Sequence, residues 1–473
     1  PRIAFVLDPV SGTRDDVLRT IHSIRRLRGS WVLILPSSFT SPIPHDKRII
    51  RVENIQQPST LAACFSEHDI DVVCFISSGI MLLLHALQQV AHAVSQHPET
   101  TILYGDYAVR SGRVVGHVIH LPKYLKYFFA SAPYLPSWSF IRRSCWERAV
   151  DTSMRSTNRE SLLTQCVHHV DPTTILHLPS ILAIANDPIR TQMQPVHYPH
   201  NTQARVSMII LTNHFSGLLQ AALYSIKKTT QQPHEILIVN NTFDARGNFQ
   251  PIPRNDASYT VLDYPRPFNF SAMNNLAARH ASGEYVLFLN DDTEAIQPGW
   301  LEAMVDLALL PDIGIVGATL LYPDSTIQHA GIYLAHPRFG TSYYLHKHLL
   351  GIRMDGSREP GFLNILSSVH EVDAVTGACL LISKKIFNHL NGFNERLAVG
   401  YNDVDLCLRA QESGYACVVT PNATLRHHES VSRNASNQPA VYRHPEDSAY
   451  FIQKWKERLE HNPSLLPASF RHL

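Results

Sequence analysis

The sequence has little charge and no excess of either sign. Charged residues make up 17% of its 473 residues, and 41 Lys and Arg face 40 Asp and Glu. A protein that holds nucleic acid by a basic field needs a surplus of cations, so this class is excluded and no nucleic-acid partner is expected. Long polar tracts are also missing while aromatic residues are plentiful, which excludes a disordered chain.

Cysteine pairs with metal-binding or redox spacing are absent as well. The seven cysteines are an odd number and lie scattered without a C-x-x-C pair. This pattern excludes zinc ribbons and disulfide scaffolds and predicts reduced thiols. The first residues, PRIAFVLDPV, predict a strand and lack the basic region of a secretory signal. We therefore expect a cytoplasmic protein.

One stretch needs to be distinguished from a membrane span. Residues 72–94 contain no Lys, Arg, Asp or Glu. They do contain Ser, His and Gln side chains, which are too many polar groups for a hydrocarbon core. The stretch therefore predicts a buried strand followed by an amphipathic helix.

The chain repeats itself. Residues 2–7 (RIAFVL) resemble 205–210 (RVSMII), and 31–35 (WVLIL) fall on 235–239 (EILIV), at an offset near 203. The offset grows to 213 where 71–79 lie on 284–292, which requires about ten inserted residues around 245–270. Short apolar runs that alternate with helical patterns predict βαβ units and a parallel sheet. We therefore predict two α/β domains joined within 187–203.

Acidic residues follow a predicted strand in the second repeat. Asn290, Asp291 and Asp292 come directly after the apolar run 285–289. Ligands bind at the carboxyl ends of parallel strands, and oxygen ligands of this kind suit Mg²⁺ or Mn²⁺. A divalent ion there could bridge a diphosphate and neutralise its charge as it leaves. The alternative is a solvated turn, because Asp-Asp-Thr is also a good helix N-cap.

A second group of polar residues lies at 400–433. Asp403 and Asp405 fall in the first turn of a predicted helix, and His427 and His428 follow the next predicted strand. One carboxylate would act as a general base towards a hydroxyl, and one histidine would complete a metal shell. The alternative is that the carboxylates only stabilise the start of the helix through its dipole and that the histidines have no special role.

The first repeat lacks these groups. It reads SSG at 77–79, where the second repeat has NDD at 290–292, and it has Ala185 near the position of His427. A purely structural cap would have been as useful in both repeats. The asymmetry therefore favours a chemical role for the polar residues of the second repeat.

With these residues in place, the second repeat resembles family 2 glycosyltransferases of the GT-A fold, in particular their bacterial rhamnosyltransferase-like and O-antigen or cell-wall branch. The resemblance runs from about 205 to 433 and rests on six motifs in order, which are PFNFSAMNN (267–275), SGEYVLFLNDDTE (282–294), PDIGIVGATLLYPDSTIQHAG (311–331), VTGACLLISKKIF (375–387), GFNERLAVGYNDVDLCLR (392–409) and TPNATLRHHESVSR (420–433). The first repeat looks like a degenerate GT-A-like module. The resemblance implies two tandem GT-A domains with Rossmann-like, mostly parallel sheets. These are a degenerate domain at 1–190 and a catalytic domain at 204–440, followed by a helical tail at 441–473.

The resemblance also implies an activity. It is an inverting, metal-dependent transfer from a nucleotide-sugar donor, dTDP-rhamnose or a UDP-sugar, to a hydroxyl of a bacterial surface glycan or lipid-linked glycan. Carried over, Asp292, Asp291 and His427 would bind Mn²⁺ or Mg²⁺, with His428 as the alternative histidine. Asp403 falls on the catalytic base of the family.

Substrate contacts follow from the same resemblance. The family usually has Asp where Asn240 stands, so recognition of a uracil or thymine base would here use the amide carbonyl. The implied nucleotide contacts are Thr212, Asn213, Asn240, Asn241 and Asn275, and the implied acceptor side consists of Trp300, His329, Gly377 and Ala378. The alternatives are a core position for Trp300 and simple helix-surface polarity for Asn275.

Other interpretations stay open at this point. The chain could be a non-catalytic glycan- or nucleotide-binding protein, or a nucleotide-sugar hydrolase or nucleotidyltransferase of related fold. The first domain would have a packing or acceptor-guiding role. The tail from 442 mixes aromatic and basic residues. It predicts either peripheral contact with the inner face of the plasma membrane or, more commonly, a helix packed on the second domain.

Overall fold

The computed structural model describes residues 1–9, 12–111, 114–150, 159–189, 191–213, 217–252, 258–335, 342–345, 347–352, 356–428, 444–461 and 464–467. The chain forms two compact units that divide after Gln192, with residues 130–132 grouped with the second unit. The division falls inside the stretch 187–203 that the sequence marks as a junction.

The first unit alternates strands and helices. Its strands are β1 (Ile3–Asp8), β2 (Trp31–Pro36), β3 (Ile49–Val52), β4 (Val72–Ser77), β5 (Met81–Leu82), β6 (Ile102–Ser111), β7 (Val114–Ile119), β8 (Phe140–Arg142) and β9 (Ile175–Ala185). Its helices are α1 (Arg14–Arg25), α2 (Pro58–Glu67), α3 (Ala86–Gln96), α4 (Lys126–Ser131), α5 (Arg143–Val150) and α6 (Arg159–His168). The apolar stretch 72–94 thus forms β4, β5 and most of α3, as its polar residues predict.

The second unit follows the same plan. Its strands are β10 (Val206–Thr212), β11 (His234–Asn240), β12 (Thr260–Asp263), β13 (Tyr285–Asn290), β14 (Thr293–Ala295), β15 (Ile313–Leu321), β16 (Ile327–His329), β17 (Ile332–Leu334), β18 (Ser342–Tyr344), β19 (His370–Glu371), β20 (Cys379–Ser383) and β21 (Ala416–His427). Its helices are α7 (Gly217–Thr229), α8 (Phe270–His280), α9 (Trp300–Ala308), α10 (Lys384–His389), α11 (Asn402–Glu412), α12 (Pro445–Lys454) and α13 (Lys456–His461).

The two main sheets have matching strand orders. The first is β3-β2-β1-β4-β8-β6-β9-β5, and the second is β12-β11-β10-β13-β20-β15-β21-β14. In each sheet the four strands at one edge are parallel, and the next strand, β8 or β20, runs antiparallel to both neighbours. The α/β prediction is confirmed. Beyond β8 or β20 the next two strands, β6 and β9 or β15 and β21, are parallel to each other, and the far edge strand, β5 or β14, is antiparallel. Six of the eight strands in each order therefore run in the same direction, as a mostly parallel sheet predicts. Central strands covered on both faces explain the continuous apolar runs of the sequence, such as VLFL in β13.

Strand register brings three polar positions of the second unit to one edge. Thr212, the last residue of β10, pairs with Asn240 at the end of β11, and Leu211 pairs with Asn290 at the end of β13. Carboxyl ends of parallel strands form the usual ligand-binding edge of an open α/β sheet. The two strand ends that flank β10 therefore lie at the edge where a site is expected.

An aromatic cluster packs against β13, the strand that ends in Asn290. Phe288 of β13 packs against Phe387 and Phe393 at ring-centroid distances of 5.2 and 4.8 Å, in tilted and edge-on geometry. Phe270, at the start of α8, joins through Phe393 at 5.7 Å. Such contacts fix the loop that follows α10 and leads towards α11.

The C-terminal helices pack on the second unit. Asp447 of α12 accepts hydrogen bonds from the backbone N–H groups of Val399 and Gly400, at 2.9 and 2.7 Å. Phe451 stacks on Tyr401 with a centroid distance of 4.6 Å. The tail is therefore part of the second unit, which is the commoner of the two outcomes that the sequence allows.

All seven cysteines are buried and free. Of the helices that the structure describes, none combines the length and the apolar character that crossing a bilayer requires.

Candidate active site

The site is built around a carboxylate and a histidine. Asp292 lies in the turn between β13 and β14, and His427 ends β21, which pairs with β14 so that Thr293 lies opposite His427. The Nε2 atom of His427 is 3.0 Å from Oδ1 of Asp292, and both side chains are buried. His428 points elsewhere, because its Nε2 is 3.0 Å from Oε1 of Glu294. The structure thus places His427, and not His428, beside the acidic turn.

The tautomer of His427 is set from its other side. Its Nδ1 lies 2.6 Å from Oε1 of Gln328. A side-chain amide oxygen only accepts hydrogen bonds, so Nδ1 carries a proton. The contact between Nε2 and the carboxylate oxygen of Asp292 is then bridged by a proton on Nε2 or by a metal ion, and Nδ2 of Asn290 also lies within hydrogen-bond distance of Nε2.

The geometry of the pair fits a divalent ion. Two adjacent ligands of an octahedral ion with bonds of about 2.1 Å lie about 3 Å apart, which matches the observed separation of Nε2 and Oδ1. Within the described part of the chain, no three His, Cys, Asp or Glu side chains converge as a self-sufficient metal cage. Mg²⁺ is commonly held by one or two protein ligands together with substrate phosphates. The residues therefore fit an ion that binds together with a diphosphate.

The other residues of the acidic turn connect it to its surroundings. Oδ2 of Asp291 accepts a hydrogen bond from Oγ1 of Thr212 at 2.8 Å, so Asp291 is joined to the end of β10. Nδ2 of Asn290 lies 3.2 Å from Nε2 of His427. Asn213 is exposed and borders residues 214–216, which are outside the described ranges. Asp291 thus bridges the acidic turn to the first strand and does not join the pair of Asp292 and His427 in a three-ligand cluster.

Asp403 is held at the start of α11. Its Oδ2 accepts from the backbone N–H of Gly377 and its Oδ1 from that of Val404, both at 2.8 Å. Next to Gly377, the carbonyl of Ala378 accepts from the N–H of Asn290 at 3.1 Å. The segment 377–378 therefore touches the acidic turn on one side and Asp403 on the other, and it unites the two groups of residues that the sequence singles out.

Three of the asparagines expected to contact a nucleotide are engaged inside the protein. Nδ2 of Asn240 donates to the carbonyl of Gln250 and to Oδ1 of Asp263, and its Oδ1 accepts from the N–H of Thr242. Nδ2 of Asn241 donates to two backbone carbonyls at 264 and 266. The amide N–H groups of both residues thus shape the loop after β11, and contact of their amide oxygens with a base stays a prediction.

Asn275 has a similar internal role. Its Nδ2 donates to the carbonyl of Phe393 and to Glu395, and its Oδ1 accepts from the N–H of Phe393. The side chain is buried, so neither a nucleotide contact nor exposed helix polarity describes it. It pins the loop after α10 to helix α8.

The acceptor-side residues separate into two groups. Trp300 is fully buried, and its Nε1 donates to Thr229 and Thr230, so it belongs to the core and not to a ligand surface. Gly377 and Ala378 line the site as described above. His329 follows Gln328 on β16 and is buried, with neither ring nitrogen hydrogen-bonded.

Burial keeps His329 neutral. It lowers the pKa of His329 to about 3, and the neighbouring His370, His427 and Lys347 act in the same direction. The ring packs edge-on against Tyr344 at 5.8 Å. His329 is thus a neutral, apolar-packed neighbour of the site.

The first unit has small residues at the corresponding positions. Leu82 pairs with Ala183 as Ala295 pairs with Leu425, and counting back along both strand pairs puts Ala185 in the place of His427. The same register puts Gly79 in the place of Asp292. The strand scaffold is shared, whereas the carboxylate and the imidazole occur in the second unit.

A family model matches part of the second unit. Residues 207–390 match the model described as Glycosyl transferase family 2. The match begins in β10 and ends after α10. It includes the acidic turn at 290–292 but neither Asp403 nor His427, whose roles rest on the geometry above.

Particular relatives extend this result. The chain is 38% identical over 278 residues to "Uncharacterized protein y4gI" of Sinorhizobium fredii, which covers 57% of this chain and 30% of that protein. It is 35% identical over 246 residues to "O-antigen biosynthesis protein RfbC" of Myxococcus xanthus, covering 52% and 19%. It is 24% identical over 261 residues to "N-acetylglucosaminyl-diphospho-decaprenol L-rhamnosyltransferase" of Mycobacterium tuberculosis, covering 50% and 79%. The chain thus spans less than a third of the length of the first two relatives.

Solved structures with similar coordinates are more distant. GalNAc-T7 with UDP, GalNAc and Mn²⁺ has a TM-score of 0.42 at 11% identity, covering 55% of this chain and 49% of that one. The mannosyltransferase PcManGT of Pyrobaculum calidifontis with GDP-Man and Mn²⁺ has a TM-score of 0.38 at 16% identity, covering 59% and 71%. Both TM-scores are low.

Proposed function

We propose that the second unit is an inverting, metal-dependent glycosyltransferase. It moves a sugar from a nucleoside-diphosphate donor to a hydroxyl of a bacterial surface glycan or lipid-linked glycan. The observation that carries the proposal is the pair of Nε2 of His427 and Oδ1 of Asp292, two metal-ligating atoms 3.0 Å apart at the carboxyl end of β13. The family match and the names of the relatives in Myxococcus and Mycobacterium support the reaction class.

The residues that would hold the ion are Asp292 and His427. A bound Mg²⁺ or Mn²⁺ would supply charge neutralisation for the diphosphate leaving group. Gln328 fixes the ring of His427 so that its Nε2 faces Asp292. Asp291, joined to Thr212 at the end of β10, contributes to the shape of the donor side of the site.

Asp403 is the proposed general base. The acceptor O–H gives its proton to a carboxylate oxygen of Asp403 while the acceptor oxygen forms a bond to the anomeric carbon. The bond from that carbon to the diphosphate oxygen breaks, and the nucleoside diphosphate leaves with the electron pair. A carboxylate accepts up to about four hydrogen bonds, so the two backbone donors orient Asp403 without exhausting its acceptor capacity.

The first unit has no transfer role in this proposal. Gly79 and Ala185 stand where the second unit has a carboxylate and an imidazole. Neither residue has a side chain that can bind a cation or take a proton. We propose that the first unit is a degenerate GT-A-like module.

A ligand panel tests the proposed function. The full chain is heated with UDP, dTDP, GDP and their sugar conjugates, each with and without Mn²⁺, and the unfolding midpoint is recorded. One diphosphate at about 100 times its Kd should stabilise the protein by about 2.7 kcal/mol, and only with the ion present. No stabilisation by any of these ligands would contradict the proposal and favour a glycan-binding protein.

Gln328 is expected to control the affinity for the ion. Replacing it with Leu removes the acceptor for Nδ1 of His427, which frees the ring to rotate and to change tautomer. Loss of such an outer partner typically weakens metal binding about 10–100-fold. The measurement is Mn²⁺ affinity by electron paramagnetic resonance, in the presence of the diphosphate found in the panel.

Two further measurements show whether Gln328 acts by orienting the ring of His427 or by stabilising the protein in general. Gln328→Glu keeps an acceptor oxygen and should retain Nδ1–H and most of the affinity. The ¹⁵N shifts of His427 report the tautomer directly and should change only in Gln328→Leu. An unchanged affinity in Gln328→Leu would show that Nδ1 is held by another group.

A further inference from the structure

The first unit contains a cavity of about 590 Å³ between α1, residues 81–84 and the loop at 43–44. This volume lies within the range of small-molecule sites, about 300–1,000 Å³. Apolar side chains form much of its lining, among them Leu18, Ile21, Ile43, Met81, Leu83 and Leu84. Leu84 is 54% exposed, so the apolar surface reaches the mouth of the cavity.

Cationic side chains stand along the same cavity. Arg19, Arg25 and Arg26 belong to the lining, together with one carboxylate, Asp15. Arg19 is paired with Asp16. Nε of Arg25 is buried without a hydrogen bond and lies 3.6 Å from the nearest carboxylate oxygen, that of Asp46.

Arg26 is the most available of these cations. It is exposed, and none of the ion pairs and side-chain hydrogen bonds of the described residues involves its guanidinium. Arg19 and Arg25 lie beside Asp16 and Asp46, so Arg26 is the lining cation that no carboxylate compensates among the described residues. The cavity thus combines an apolar lining with a cationic edge.

The fold does not require this apolar lining. Oγ of Ser23 accepts from the N–H of Leu82, and Oγ of Ser225 accepts from the N–H of Ala295, so the same helix–strand contact exists in both units. In this register Leu18 corresponds to Gln220, and Met81 corresponds to Glu294. The second unit therefore has polar residues at two positions where the first unit has apolar ones.

We propose that this cavity binds an anionic amphiphile, a single hydrocarbon chain that ends in a phosphate. The chain fills the apolar lining, where its burial from water is favourable. The phosphate meets the guanidinium groups of Arg26 and Arg25, which form charge-assisted hydrogen bonds with phosphate oxygens. A neutral hydrocarbon would leave the cations unused, and a purely polar anion would leave the apolar lining in water.

The test uses three probes on the full chain. Isothermal titration calorimetry is carried out with geranyl phosphate and with two controls. Geraniol has the same hydrocarbon chain without the phosphate, and inorganic phosphate is the anion without the hydrocarbon. Geranyl phosphate should bind at least tenfold more tightly than geraniol, and inorganic phosphate should not bind. Equal binding of geraniol, binding of phosphate alone, or no binding of geranyl phosphate would each overturn the proposal.

Variants assign the binding to the cavity. Arg26→Gln should weaken geranyl phosphate about tenfold and leave geraniol unchanged, and Leu84→Asp should weaken both. Arg28→Gln removes a nearby exposed cation that does not line the cavity and should have no effect. Asp292→Ala should also have no effect, which separates this result from the donor site.

A vesicle experiment distinguishes binding of a single amphiphile molecule from binding to a membrane surface. The chain is sedimented with phosphatidylcholine vesicles with and without an anionic lipid. If the wild type binds the anionic vesicles and geranyl phosphate does not compete, the cationic edge is a membrane-contact surface and the proposed cavity ligand is wrong. Competition by geranyl phosphate, lost in Leu84→Asp, supports the proposal.

Discussion

Replacing Asp403 with Asn is expected to lower kcat by about 10²–10⁴-fold, the usual contribution of a general base. Asn has nearly the same shape and can still accept from one of the two backbone N–H groups that hold Asp403. It cannot take a proton from the acceptor hydroxyl. The measurement is initial transfer rate with the donor found in the ligand panel, together with the donor-dependent shift of the unfolding midpoint, which should persist.

Asp405 provides the matched control for this experiment. It lies two residues along the same helix and is fully buried, where it bonds Arg409, Lys454 and Trp455. Asp405→Asn should therefore lower the free energy of unfolding, because it removes the buried carboxylate that compensates the charges of Arg409 and Lys454. If Asp403→Asn kept more than a tenth of the wild-type kcat, another group would have to be the base.

Replacing Asp292 with Ala is expected to abolish metal-dependent binding of the nucleoside diphosphate. Without this carboxylate, His427 is the protein ligand left beside the ion, and a histidine nitrogen does not replace the charged oxygen ligand that Mg²⁺ and Mn²⁺ prefer. The stabilisation of about 2.7 kcal/mol that the wild type shows at 100 times Kd should disappear. Thermal unfolding with the diphosphate, with and without Mn²⁺, measures this directly.

Glu294 is the control for Asp292. It also follows β13, but its Oε1 accepts from His428, outside the proposed metal pair. Glu294→Ala should keep the ion-dependent stabilisation, and His428→Ala should do the same, whereas His427→Ala should lose it. Full metal-dependent binding in Asp292→Ala would place the ion elsewhere and remove the central support of the proposed function.

The repeat in the sequence predicted much of the architecture. The repeat offset near 203 brings Ser23 close to Ser225 in the alignment, and these two serines make the same hydrogen bond in their units. The expected counterpart of His427, Ala185, is the one that strand register gives. These features were accessible because they depend on local apolar periodicity, which both repeats preserve.

Other residues could not be assigned from the sequence. Asn240 and Asn275 look like ligand contacts, yet their amides bond backbone groups 10 and 118 residues further along the chain. Nothing in the sequence distinguishes Gln328 from other polar residues, although it lies against Nδ1 of His427 across 99 residues of sequence. Polar residue type alone does not reveal whether a side chain serves the protein or a ligand, because both uses need the same donors and acceptors.

The position of Asp447 has a consequence for the order in which the protein is made. The turn before α11 receives its carboxylate partner from a helix 47 residues further along the chain. A ribosome that has finished every motif up to His427 has therefore not yet supplied the group that holds this turn, and Asp403 stands three residues beyond it. The first unit can complete its sheet as soon as β9 has emerged. The second unit must wait for α12 before the turn that leads to Asp403 is held in place.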